Sequence, residues 1–180
     1  MAAYKILIDA MGGDYAPQGP VDGALLACER HPELSVVLAG RQDQIEKALE
    51  GKQYASSRVT ILHKEQVVEN EEHNPAEAVR SKRDSSMMYG MTMVKNHEVD
   101  GMVSAGNTGA VLAGATLLVG RIPGVSRPAL SVGLPGRKGP VFLLDVGANM
   151  DSKPAYLLQF AQMMTVYCRK QLGMDQPRVG

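Results

Sequence analysis

Tryptophan is absent, phenylalanine occurs twice, and all aromatics together make up 4% of the 180 residues. Nineteen basic residues are cancelled by nineteen acidic ones. The chain therefore lacks both the rings that stack on bases and the overall field that attracts a nucleic acid, and no nucleic-acid partner is expected. Long apolar runs are also missing. The softest stretch, "GAVLAGATLLVG", falls well short of the roughly 20 residues that span a bilayer, and the N-terminus has no charged region followed by a signal-type apolar core. A cytoplasmic protein is the expectation. Cysteine occurs twice. Cys28 falls in line with Val21, Ala24 and Leu25, and Cys168 with Leu157, Ala161 and Met164, at helical spacing, so both read as core residues. A nucleophilic thiol would need an exposed, electropositive setting.

What is present is ample apolar material, 44% of the residues, enough for a core in a chain of this length. Short aliphatic runs alternate with longer periodic ones. "YKILID" precedes a helix from about Pro20 to Arg30; "LSVVLAG" precedes one over 41 to 50; "RVTILH" leads to a helix opened by Asn74 as cap and Pro75 in the first turn, broken or kinked near Ser85 to Gly90. "VDGMVSA" then precedes a Gly-rich helix over 107 to 120. The strands "RPALSVGL" and "VFLLDVG", separated by "PGRKGP", precede a helix over 154 to 171, and "PRVG" reads as a strand beginning. This alternation implies one α/β domain over 1 to 180, with a mostly parallel sheet and helices on both faces.

Ligands in such sheets bind beyond the C-terminal strand ends, and many polar or small residues follow those ends. Asp9, Gly12, Gly13, His63, Ser104, Gly106, Asn107, Asp145, Gly147 and Asn149 would converge on one rim. "LIDAMGGD", residues 7 to 14, has the two glycines of a phosphate loop, yet Asp9 and Asp14 flank them and would repel an anion. "SAGNTGA", residues 104 to 110, suits an anion better. Gly106 allows close approach, Asn107 can cap the next helix, Thr108 adds a hydroxyl, and the free N–H groups through Gly109 would face the rim. A tight turn whose small residues serve only packing is the competing reading. Asp9 and Asp14 would then order the rim and its cationic residues. Asp9, His63, Asn107 and Asp145 are the catalytic candidates.

Charge is unevenly distributed. Residues 101 to 144 hold Arg121, Arg127, Arg137 and Lys138 with no acid, whereas 65 to 79 hold Glu65, Glu69, Glu71, Glu72 and Glu77 with no Lys or Arg. The basic stretch is a docking surface or a solvated loop. In "VRSKRDSS", Arg80, Lys82 and Arg83 sit on a solvated helix face or turn toward the rim. Asp9, Asp14, Asp145 and Asp151 would suit magnesium, but no nucleotide loop of a recognised form accompanies them, and no His and Cys set has zinc spacing. No metal and no cofactor is expected. Met87, Met88, Met91 and Val94 form an apolar helical stripe that reads as core, with an acyl-chain groove or a membrane-contacting surface as the second reading.

Taken in order, "DAMGGDYAP", "RDSSM", "VSAGNTGA", "GRIPGVSRPAL" and "LLDVGAN" closely resemble the N-terminal half of the bacterial acyl-acyl carrier protein:phosphate acyltransferases of phospholipid synthesis. The resemblance covers essentially the whole chain. It implies transfer of a long-chain fatty acyl group from acyl carrier protein to inorganic phosphate. It also implies a three-layer α/β/α sandwich related to phosphate acetyltransferases and isocitrate dehydrogenases, a homodimer, and peripheral membrane contact. Gly106, Asn107, Thr108 and Gly109 are then the expected phosphate site; Gly12, Gly13, Asp14, Lys82, Arg83, Arg127, Lys138 and Asn149 are the expected rim toward the acyl donor. Family chains continue well past residue 180, so the sequence corresponds to the first half of a longer catalytic domain. An acetyl-CoA-type enzyme and a non-catalytic carrier-protein or membrane-binding fragment are the alternatives.

Overall fold

The computed structural model describes residues 3–137, 139–147, 149 and 151–180. Contacts divide the chain into two compact units, one ending at Gly120 and one running Arg121–Gly180.

The first unit is built on four parallel strands in the order β3-β2-β1-β4: β1 is Tyr4–Asp9, β2 Leu34–Gly40, β3 Val59–His63 and β4 Gly101–Val103. Alternation along the strands explains how both faces are filled. Val36 and Leu38 of β2, with Ile8 of β1, point to one side and pack with Val21, Ala24 and Cys28 of helix α1 (Gln18–Arg30) and Ile45, Ala48 and Leu49 of α2 (Gln42–Leu49). Leu7, Val37 and Ala39 point to the other side and meet Tyr89, Met93 and Val94 of α4 (Ser86–Lys95) together with Val99. Helices thus cover both faces of a parallel sheet, the expected mixed α/β arrangement. Cys28 lies in that core, where burial pushes its thiol above the usual range.

Beyond the sheet, α3 (Pro75–Ser81), α4 and α5 (Thr108–Gly114) share a second core of Val68, Ala78, Val79, Met87, Met88, Met91 and Ala110. The methionine stripe is therefore core: Met88 is 0% and Met87 1% exposed. The break expected near Ser85 to Gly90 occurs slightly earlier, over residues 82–85, and Gly90 lies inside α4. Asn74 caps α3, whose helix stops at Ser81, and Ser85 caps α4 by accepting the N–H of Met88. After α5 the backbone widens into a π-helical turn, Ala115–Val119, so the single helix expected over 107 to 120 changes pitch midway.

The second unit contains an antiparallel pair, β5 (Ser131–Gly136) with β6 (Gly139–Leu144), and helix α6 (Pro154–Leu172), ended by Gly173 in the left-handed conformation. The mostly parallel character of the protein thus belongs to the four-stranded sheet. α6 buries Phe160 and Cys168. Residues 177–180, expected to begin a strand, have no strand pairing.

Substantial apolar surface stays uncovered. Val103 on the short edge strand β4 is 56% exposed, Val132, Leu134, Val141 and Leu143 of the hairpin are exposed, and so are Leu157, Leu158 and Val166 of α6. Edges and patches of this kind associate. The 180-residue chain should accordingly show concentration-dependent self-association in sedimentation velocity; a monomer at every concentration would contradict this. Because Met88 is sealed between α4 and α5, Met88→Ala should lower unfolding free energy by about 2–5 kcal/mol in urea titrations. A loss close to zero would mean that the stripe lines an open groove instead.

Candidate functional site

The C-terminal end of β1 delivers Asp9 into the interior, where it is 2% exposed. Burying a carboxylate costs several kcal/mol unless hydrogen bonds replace water. Two serines do so. Ser86, the first residue of α4, donates its hydroxyl to Oδ1 at 2.6 Å, and Ser104, just beyond β4, donates to Oδ2 at 2.7 Å. The Met11 N–H adds a longer bond to Oδ1 at 3.3 Å. One carboxylate thereby joins three loops separated by 77 and 95 residues in sequence.

This arrangement explains the paired glycines. A Cβ on Gly12 would stand 2.8 Å from Asp9 Oδ2, 2.9 Å from Ser104 Oγ and 2.9 Å from the Gly106 nitrogen, so no larger residue fits between the carboxylate and the β4 exit. Gly13 turns the chain away with φ +98°. The loop is a packing junction between strand exits. The expectation that Asp9 and Asp14 hold cationic residues is corrected for the described residues: Asp9 is bound by neutral hydroxyls, and Asp14 accepts from the side-chain amide of Asn70 at 3.0 Å.

Asn107 caps α5 as expected, its Oδ1 accepting the Ala110 N–H at 2.8 Å. Its amide nitrogen is also committed, donating to the carbonyls of Asn70 at 2.7 Å and Glu72 at 3.2 Å. The segment 70–74 is thus strapped to both the β1 exit and the start of α5, a link with no signal in sequence spacing. The strap brings in an acid: Glu72 is paired with Lys82 at 3.5 Å, and its carboxyl is held below the usual range chiefly by the Asn74 N–H and further by Lys82. Gly106 differs from its neighbours. Its N–H goes to Ser104 Oγ at 3.1 Å, whereas those of Thr108 and Gly109 have no protein acceptor among the described residues. Thr108 itself is exposed.

Other candidates fall elsewhere. His63 Nδ1 accepts the N–H of Gln42 at the start of α2, at 3.3 Å. Three strand spacings, roughly 14 Å, separate the exits of β3 and β4, so His63 is not brought to Asn107. Arg83 is exposed. Lys64, which sequence reasoning passed over, is almost buried: it bonds Asp84 at 2.6 Å and lies 3.4 Å from the centre of the Tyr89 ring, tying the β3 exit to α4. In the second unit, Asp145 Oδ2 accepts from the backbone N–H of Asn149 at 2.7 Å and from its side-chain amide at 2.9 Å. That amide also donates to the Pro128 carbonyl at 3.1 Å. Asp145 and Asn149 therefore shape their own loop. Arg127 is exposed, and Lys138 lies outside the described residues. Among the described residues no cluster of three His, Cys, Asp or Glu side chains could hold a metal, and no helix is long and apolar enough to cross a membrane.

The family model described as "Fatty acid synthesis protein" matches residues 4–180. The phosphate acyltransferase of Pelotomaculum thermopropionicum is 48% identical over 176 residues, covering 98% of this chain and 51% of that protein. The phosphate acyltransferase of Clostridium botulinum is 44% identical over the same length, covering 98% and 53%. The chain spans about half the length of the curated relatives it matches. Among solved structures, the EutD phosphotransacetylase from Staphylococcus aureus superposes with a TM-score of 0.64 at 17% identity, over 96% of this chain and 54% of that one. That likeness shows a shared fold.

The depressed carboxyl of Glu72 gives a pH prediction with a definite sign. A carboxyl whose pKa is lower in the folded than in the unfolded state stabilises fully above its unfolded value, and the contribution is lost as pH falls through the folded one. Wild type should hence exceed Glu72→Gln in thermal midpoint at neutral pH, and the two should converge in acid below the usual glutamate range. A gap that stays constant with pH would mean that ionised Glu72 does not anchor the strap.

Proposed function

Because the chain belongs to the fatty acid synthesis protein family, we propose that it forms the first half of a phosphate acyltransferase that moves a long-chain fatty acyl group from acyl carrier protein to inorganic phosphate. The observation that carries the reading is the match over residues 4–180 together with relatives named phosphate acyltransferase. In the reaction a phosphate oxygen attacks the thioester carbonyl, the C–S bond breaks, and the carrier thiolate leaves and takes up a proton, giving an acyl phosphate for phospholipid synthesis. Phosphate is an adequate nucleophile near neutral pH, so the protein mainly places it and stabilises the developing oxyanion. No cysteine is needed, which agrees with two buried thiols.

Phosphate is assigned to the turn at Asn107, Thr108 and Gly109, beside Gly106. The unpartnered N–H groups and exposed hydroxyl there support it, as does the neutralisation of Glu72 by Lys82. Arg121, Arg127, Arg137 and Lys138 are assigned to docking the acidic carrier protein, on the strength of their clustering without acids. A homodimer in the cytoplasm, with peripheral contact at the inner face of the membrane, completes the reading.

In a protein spanning the full length of the relatives, Thr108→Val should raise the KM for phosphate by the loss of one donor, about 1–2 kcal/mol, with little change in KM for the acyl donor. Unchanged phosphate dependence rejects the placement. Turnover with acetyl-CoA but not with long-chain carrier thioesters would favour an acetyl-type enzyme, and binding without turnover a non-catalytic module.

A further inference from the structure

Asp9 is too deeply enclosed to touch a substrate: it is 2% exposed and each oxygen already receives a serine hydroxyl. A serine hydroxyl carries one proton and two lone pairs. Ser104 spends its proton on Asp9, which turns its lone pairs toward the chain just ahead, where one accepts the Gly106 N–H at 3.1 Å. The result is a directed relay, Gly106 N–H to Ser104 Oγ–H to Asp9. Its direction is set by the charge, since a carboxylate only accepts. Reversed, with Ser104 accepting at position 9, the hydroxyl proton would compete with the Gly106 N–H for the same space.

The relay fixes the backbone immediately before α5 and so fixes where the Asn107, Thr108 and Gly109 N–H groups aim. Packing closes the remaining freedom. A Cβ at Gly106 would meet Met87 Cε at 2.9 Å and the Cα of Gly12 at 3.4 Å. Through Ser86 the same carboxylate holds the first turn of α4. We propose that Asp9 is a positioning residue for the β4–α5 turn, acting through Ser104 to hold the donor groups of that turn in the geometry that receives an anion. The proposal rests on the phosphate reading given above and deepens it.

Amide hydrogen exchange resolved to Gly106, combined with titration by inorganic phosphate, tests this on the 180-residue chain. Asp9→Asn keeps the shape and removes the charge; Ser104→Ala removes the relay; Ser104→Thr keeps a hydroxyl. Ser86→Ala removes the other bond to Asp9 and leaves the Gly106 branch whole. Exchange at Gly106 should quicken about tenfold, relative to the core amides of β2, in Asp9→Asn and Ser104→Ala. It should stay near wild type in Ser86→Ala and return toward it in Ser104→Thr. Phosphate affinity should fall in the two variants that free Gly106. Undiminished protection in Asp9→Asn overturns the proposal, and so does equal quickening in Ser86→Ala, which would reveal general loosening. If the wild-type chain binds no phosphate, the placement of phosphate fails, while the exchange measurements still decide the role of Asp9.

Discussion

A single buried carboxylate ties the exits of β1 and β4 to the start of α4 in the first unit. Asp9 leaves β1 pointing inward, and once there it has to be solvated by protein or the fold loses several kcal/mol. Two neutral hydroxyls and a backbone N–H meet that demand. Meeting it brings the N-terminus of α4 and the exit of β4 to the same point. The close approach then forbids any side chain at position 12. Gly12, Ser86 and Ser104 are consequences of one electrostatic requirement, met by residues far apart in the chain.

The strap of residues 70–74 depends on that junction. Asn70 reaches Asp14 on the β1 exit, and the Asn70 and Glu72 carbonyls receive the amide of Asn107. Asn107 can cap α5 and tie the strap at once because an amide has a carbonyl for one task and an NH2 for the other. The strap also carries Glu72 close to the turn where an anion is proposed to sit. Lys82 and the Asn74 N–H offset that charge, so the neighbourhood is less hostile to a phosphate than a list of nearby acids suggests.

The second unit repeats the device by itself. Asp145 comes directly after β6, much as Asp9 closes β1, and its carboxylate gathers the Asn149 backbone and amide, with the amide continuing to Pro128. Acids at strand exits in this protein serve as acceptors that fold the loops around them. That is the answer to the glycines of "LIDAMGGD" standing between two aspartates.

The strand and helix order could be read from the sequence because it depends on periodicity and local chemistry: alternation in "LSVVLAG", the Asn74–Pro75 start, the Asn107 cap. Each acts within a few residues. Five short motifs in fixed order similarly carried the family. What could not be read was the partner of each polar group. Asp9 was expected to serve cations, because sequence shows its charge but not the serines 77 and 95 residues away that fold against it. His63 was a chemical candidate until strand order placed it at the far edge of the sheet, and the methionine stripe became core only when α3 and α5 closed over it. Burial and long-range pairing depend on which surfaces meet in three dimensions. The sequence determined the elements and their kin, while the tertiary structure alone decided that Asp9 is buried against two serine hydroxyls and that the Gly106 N–H is already spent.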